Sequence, residues 1–185
     1  MRITEAQLHE QLDRFGAEKI RIVAELVHQG TPDGIGTALV LAMASRETNI
    51  ANIVGDHGHG RGWLQIDDRF WAKWLSTHAG CKDGTWTARY ASALPGGRVP
   101  TLTHSTVHAI DILHGNVAFA RARKIPSGER RRFAIAAYNC GAGNAIRAYA
   151  GGNVDARTAN GDYSADVLAR RDAVARYLKR RKLPA

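Results

Sequence analysis

Glu47 has the residue type and the address for proton chemistry. It falls at the emerging end of a predicted helix whose body, Ile35 through Ala44, is apolar on nearly every side, in the run Ser45-Arg46-Glu47-Thr48-Asn49. A carboxyl at the end of a buried helix loses solvent, and the negative end of the helix dipole further disfavours its ionised form. Both effects retain a proton toward neutral pH, which a general acid requires. Asp56 and Asp67 follow nine and twenty residues later, in and at the edge of a glycine-rich stretch that could fold back over the helix end. A protonated carboxyl facing an ionised one across roughly 6.5–9.5 Å leaves room for water, and this pair hydrolyses a glycosidic bond with inversion. Three carboxylates within twenty-one residues occur in many chains, so their meaning depends on the residues around them.

Other reactive side chains offer less. His57 and His59 are two apart, and His104 and His108 share a helical face at i, i+4, but there is no His-Glu-x-x-His pattern. They are read as loop residues and a surface pair, with no metal site. Cys140 follows Tyr138-Asn139 and precedes Gly141 without an identifiable His/Asp partner, so an inert thiol is expected. Cys81 and Cys140 cannot form a disulfide framework and are expected as free thiols, with a single bridge the alternative.

The elements that must position these groups read as helices. Thr4 and Gln7 make a capping-box pattern, and Leu8, Leu12, Phe15, Ile22 and Leu26 recur at helical spacing, predicting helix over 4–28 with a break at Gly16. Thr31-Pro32 reads as the start of the core helix. Residues 55–62 carry four glycines in eight positions and predict a turn-rich, hairpin-like segment, followed by a short strand over Trp63-Leu64-Gln65-Ile66-Asp67. Ser76 to Thr103 reads as a long loop beside a cleft. Val107, Ile110, Leu113, Val117 and Ala120 mark a further helix, residues 129–138 another and 144–149 a short one. A final basic helix carries Val167, Leu168, Val174, Ala175 and Leu178 as its apolar stripe.

At 185 residues, 44% hydrophobic and 23% charged, the chain is a folded domain rather than a disordered or fibrous one. Its longest nearly uncharged stretch, Gly34 to Ser45, falls short of the roughly 20 residues that span a bilayer. The net charge of +9 attracts polyanions, and seven basic residues against two acidic ones lie between Ser164 and Ala185. That tail is read either as a solvated helix end complementing its dipole or as a surface drawn to an anionic wall or membrane. Zinc-finger spacing, a phosphate-binding glycine loop and aromatics interleaved with the basic helix are all missing, so no specific nucleic-acid partner is expected.

Read together, Ser45-Arg46-Glu47-Thr48-Asn49, Gly55-Asp56-His57-Gly58, Gly62-Trp63-Leu64-Gln65-Ile66-Asp67 and Ala137-Tyr138-Asn139-Cys140-Gly141-Ala142-Gly143-Asn144 resemble the goose-type lysozymes, relatives of the lytic transglycosylases. The similarity continues through Asp162-Tyr163-Ser164-Ala165-Asp166-Val167-Leu168-Ala169-Arg170 and covers roughly residues 35–178. It implies a mainly α, lysozyme-like fold in a single domain over 1–185, with a small β/turn-rich segment beside the cleft.

By that resemblance Glu47 is the general acid, Asp67 the carboxylate that positions water, and Asp56 its partner. Gln65, Tyr138 and Asn139 line the sugar groove, Tyr163 lies near the acid, and Trp63 either stacks on a sugar or packs inside. The implied substrate is the β-1,4 bond between N-acetylmuramic acid and N-acetylglucosamine in peptidoglycan strands, cleaved without metal or organic cofactor, by a monomer. Trp63 stands where the family has a smaller apolar residue, Cys140 where alanine is common, and segment 70–103 is expanded.

The alternatives are a lytic transglycosylase, in which one acid suffices and the product is an anhydro sugar, and a non-catalytic basic module for wall or nucleic acid. The start of the chain has no apolar run of signal-peptide length. The expectation is a phage endolysin held in the host cytoplasm until a pore-forming partner releases it, or a secreted bacterial effector.

Overall fold

In the computed structural model, residues 3–30, 34–55, 57, 59–67 and 102–185 are described, without the side chains of residues 28–30, 54, 61 and 104. The chain is mainly helical. Asp56, Cys81, the Thr31-Pro32 start signal and nearly all of the expected loop over Ser76–Thr103 lie outside the described residues.

The N-terminal helical stretch divides as its sequence predicts. Helix α1 (Glu5–Phe15) opens on a complete capping box between Thr4 and Gln7 and stops at Gly16, whose φ of +92° favours glycine, before α2 (Ala17–Gly30) begins. Helix α3 (Thr37–Thr48) begins after its N-cap Gly36 and not at the expected Thr31-Pro32, since residues 34–36 are not helical, and it is buried from Thr37 through Ser45 because its side chains are apolar or small all the way round. It is the central helix, packed most extensively along α7 (Tyr163–Arg180). Helix α4 (Leu102–Ala122) lies against α2 and α5 (Ser127–Cys140), and α6 (Ala142–Ala150) completes a second apolar cluster with α5 around Phe133 and Ala145.

The expected strand over 63–67 is corrected. Gly62 through Gln65 form a turn, and only Ile66 and Asp67 are strand. Three two-residue strands, β1 (Val54–Gly55), β2 (Gly60–Arg61) and β3 (Ile66–Asp67), make an antiparallel sheet in that order, pairing Gly55 with Gly60 and Gly60 with Asp67. The turn wins because Gly62 and Gln65 both adopt positive φ, which a strand cannot hold, and because the Gln65 amide donates to the Gly62 carbonyl at 2.9 Å. At Gly55 an added Cβ would displace the Gln65 side-chain amide from its present position.

The basic tail is partly engaged within the fold. Arg176 and Arg180 pair with Glu5, Arg181 pairs with Asp13, Arg171 with Asp172, and Arg170 is buried against Asp166. Five of the seven cations thus have carboxylate partners, and the three that join α7 to α1 remain more than half exposed. His108 is buried rather than at the surface, since its face of α4 turns inward with Ala109 and Ile110. Among the described residues no helix is long and apolar enough to cross a membrane.

Candidate active site

The site is built where α3 ends. Asn49 and Ile50 both take left-handed φ, +56° and +59°, with their N–H groups donating to the Ser45 and Ala44 carbonyls, so the chain leaves the helix in a sharp reversal. Asn tolerates this conformation. A β-branched Ile does so only under strain, and here Ile50 is held by burial. The reversal sends the chain toward the small sheet, whose turn is anchored on both sides. Thr48 Oγ1 donates to the Trp63 carbonyl at 2.8 Å, and the Tyr138 hydroxyl donates to the Leu64 carbonyl at 2.9 Å. The end of α3, the turn 62–65 and the last turns of α5 are therefore one rigid unit.

Glu47 sits in this unit, half-buried, with Tyr163 donating its hydroxyl to Oε1. Burial pushes the Glu47 carboxyl above the ordinary glutamate range; the Tyr163 hydrogen bond and the Arg46 charge pull it down without overcoming that effect. Tyr163 is fully buried, and burial followed by the Glu47 charge drives its phenol well above the usual tyrosine value, as it does for Tyr138. Both tyrosines are therefore neutral donors at physiological pH.

Tyr163 is placed by a cap supplied from a distance. Asp155, almost fully buried, accepts from the Ser164 N–H at 2.7 Å and the Ser164 hydroxyl at 2.6 Å, satisfying the first turn of α7 just where Tyr163 begins it. Burial would raise the Asp155 carboxyl, but the Ser164 bonds and Arg132 outweigh it and hold it below the usual aspartate value. Asn139 reinforces the same approach by accepting from the Ala159 N–H at 2.8 Å, and Arg46 lies over the Tyr163 ring, 5.8 Å from its centroid.

Beneath the acid runs a chain of polar contacts. Asn49 accepts from Gln11, Gln11 accepts from Ser45, and Arg170 donates to both the carbonyl and the hydroxyl of Ser45 at 2.9 Å. Arg170 and Arg46 then share Asp166, and Arg46 reaches Asp162. The buried groups in this network satisfy one another, and it pins the last turn of α3 against α7.

The structure thus brings Glu47, Tyr138 and Tyr163 together, with Asn139 beside them through the Ala159 turn. Gln65 serves chiefly to close its own turn. Asp67 is partly exposed on β3, on the opposite side of the strand from the buried Ile66. Trp63 is corrected from sugar platform to core residue: it is 2% exposed and stacked on Phe15, with ring centroids 5.0 Å apart. Cys140 carries a free thiol that burial pushes up, consistent with an inert group.

The positioning residues Gln11, Ser45, Arg46, Asp155 and Arg170 were not singled out from sequence as parts of the site. Of their contacts, only the Asp166/Arg170 pair at i, i+4 left a local signal; Asp155 reaches Ser164 across nine residues, and the others meet across more than twenty. Among the described residues no cluster of three His, Cys, Asp or Glu could hold a metal ion. No model of a known protein family matches the chain, and no curated protein matches it either.

Proposed function

We propose that this chain is a peptidoglycan-cleaving glycosidase, a lysozyme-like domain of the goose type, in which Glu47 protonates the oxygen of the β-1,4 bond between N-acetylmuramic acid and N-acetylglucosamine. One observation carries the reading. The Glu47 carboxyl stands at the open end of a buried helix, raised in pKa, with one oxygen engaged by a neutral tyrosine. Because Tyr163 donates to Oε1, the acid's own proton belongs on Oε2, which is left to meet the glycosidic oxygen.

In this reading Asp67, on the outward side of β3, directs water to the opposite face of the sugar, helped by Asp56, and the product inverts. Tyr138 and Asn139, both partly exposed, border the groove with Gln65. The proposed reaction uses neither metal nor organic cofactor. The proposed setting is that of a phage endolysin, with lysis of the host only when a pore-forming protein is co-expressed. Lysis without one favours an exported effector.

A specific observation supports a second reading, the lytic transglycosylase. The state of Glu47 is set by burial, the Tyr163 hydroxyl and Arg46, without a second carboxyl. A single acid/base would then suffice, with the muramic acid's own hydroxyl closing an anhydro ring.

Mass spectrometry of muropeptides released from purified peptidoglycan tests both. Reducing-end products from the wild type and none from Glu47→Gln are expected. Anhydro products would transfer the assignment to the transglycosylase and leave Asp56 and Asp67 without their role. Undiminished release by Glu47→Gln would overturn the assignment of the acid.

A further inference from the structure

We propose that the corner between α4 and α5 binds the phosphate groups of an anionic polyol-phosphate polymer. A cavity of about 340 Å³ opens there, lined by Ser127, Gly128, Arg130, Arg131, Arg132 and Arg171 together with the apolar Val117 and Leu168. Four arginines thus line one concave surface, and three of them are oriented by hydrogen bonds within the fold.

Arg130 Nε donates to the Ile125 carbonyl at 2.8 Å, and its two terminal nitrogens make no hydrogen bond to another described residue. Arg131 lies against the backbone at Gly34, where an added Cβ would stand 2.5 Å from Nη2; glycine is what allows that approach. Arg132 is oriented by Ser164 and Asp155, and Arg171 by Asp172. The bonds that orient Arg130, Arg132 and Arg171 reduce the side-chain freedom left to be lost on binding.

The charge balance favours an anion. Among the described residues, Asp155 and Asp172 each pair with one lining arginine, and no described carboxylate pairs with Arg130 or Arg131. Ser127 and Gly128, in the first turn of the fourteen-residue α5, also line the cavity, and first-turn N–H groups have no intrahelical partner. Planar forks and N–H groups converging on a concavity suit a tetrahedral oxyanion better than a lone carboxylate.

Two other polyanions fit less well. A lipid surface would require apolar residues to insert, and among the described residues the exposed large hydrophobic is Ile53, in the segment before β1. A single-stranded nucleic acid would stack its bases on exposed aromatic faces, whereas Phe133 is buried and Phe119 is partly buried with Arg123 over its ring. Of the seven cations of the basic tail, three pair with α1 and one, Arg171, lines this cavity.

Binding is measured without turnover, so this proposal stands or falls independently of the glycosidase reading, and Glu47→Gln protein serves as well as wild type. Inorganic phosphate titrated into isotope-labelled protein is expected to shift the amide resonances of Ser127, Gly128 and Arg130–Arg132. Poly(glycerol phosphate) is expected to bind at least about tenfold tighter per chain than free phosphate, through multiple occupancy. The double variant Arg130→Gln/Arg131→Gln, at exposed and half-exposed positions, should weaken polymer binding about tenfold or more. Lys179→Gln/Lys182→Gln, in the tail, should leave it within about twofold. Equal loss in both variants, or resonance shifts centred on the tail, would overturn the site. Tighter binding to phosphatidylglycerol vesicles or single-stranded DNA at matched phosphate would overturn the choice of ligand.

Discussion

Asp166→Asn isolates the buried charge network under the acid. Asp166 Oδ2 lies 2.9 Å from Arg170 Nε and 3.3 Å from Arg46 Nε, and the Asp166 and Arg170 side chains are 6% and 7% exposed. Asparagine keeps the shape and removes the charge, so Arg170 is left in the interior without its counter-ion. Removing one partner of such a pair costs about 3–5 kcal/mol. Arg46 is 17% exposed and retains Asp162 at 3.1 Å, which places the expected loss near the lower end, about 3 kcal/mol. For a domain of this length that lowers Tm by about 6–12 °C.

Asp162→Asn is the internal control. It removes a partner of the same Arg46 guanidinium, but the Asp162 side chain is 39% exposed, so the loss should be about 1 kcal/mol or less. Urea titration followed by circular dichroism, with thermal melts alongside, measures both variants, and the midpoint should move without a change in slope. If Asp166→Asn lost no more than Asp162→Asn, water would have to reach Arg170 freely. The network could not then be what fixes the last turn of α3.

Two further outcomes concern the acid itself. Because the folded-state pKa of Glu47 is raised, folding retains a proton that the unfolded chain releases, and stability is lost as pH rises from the ordinary glutamate value through the raised one. Glu47→Gln removes that dependence: thermal melts should show it more stable than wild type at about pH 8 and no more stable at about pH 4, while wall-degrading activity falls about 10²–10⁴-fold. A wild-type curve parallel to that of the variant would mean that Glu47 is solvated in the native state. Tyr163→Phe deletes the hydroxyl that favours ionised Glu47, so the acid should titrate higher and the alkaline limb of the activity profile should move upward, with kcat reduced. A limb that stays in place would show that the hydroxyl does not reach the titrating group.

What was legible in the sequence is what neighbours along the chain decide. The capping box at Thr4, the break at Gly16 and the all-apolar α3 appear as read, because hydrogen bonds to the first turn, a positive φ and a helix without a polar face are local facts. The placement of Glu47 where a buried helix emerges was legible for the same reason.

Tertiary structure decided the rest. Trp63 to Gln65 have the composition of a strand, yet two positive φ values and anchors from Thr48 and Tyr138, the latter more than seventy residues away, make them a turn and bury Trp63 on Phe15. The tail's cations have the composition of an open basic surface, yet Glu5 and Asp13, about 170 residues upstream, engage three of them in ion pairs. Tyr163 meets Glu47 only because Asp155 caps α7 and α7 packs along α3. Desolvation and pairing depend on which surfaces meet in space, and a pattern of residue types along one chain determines which groups are present but not which of them lose their water together.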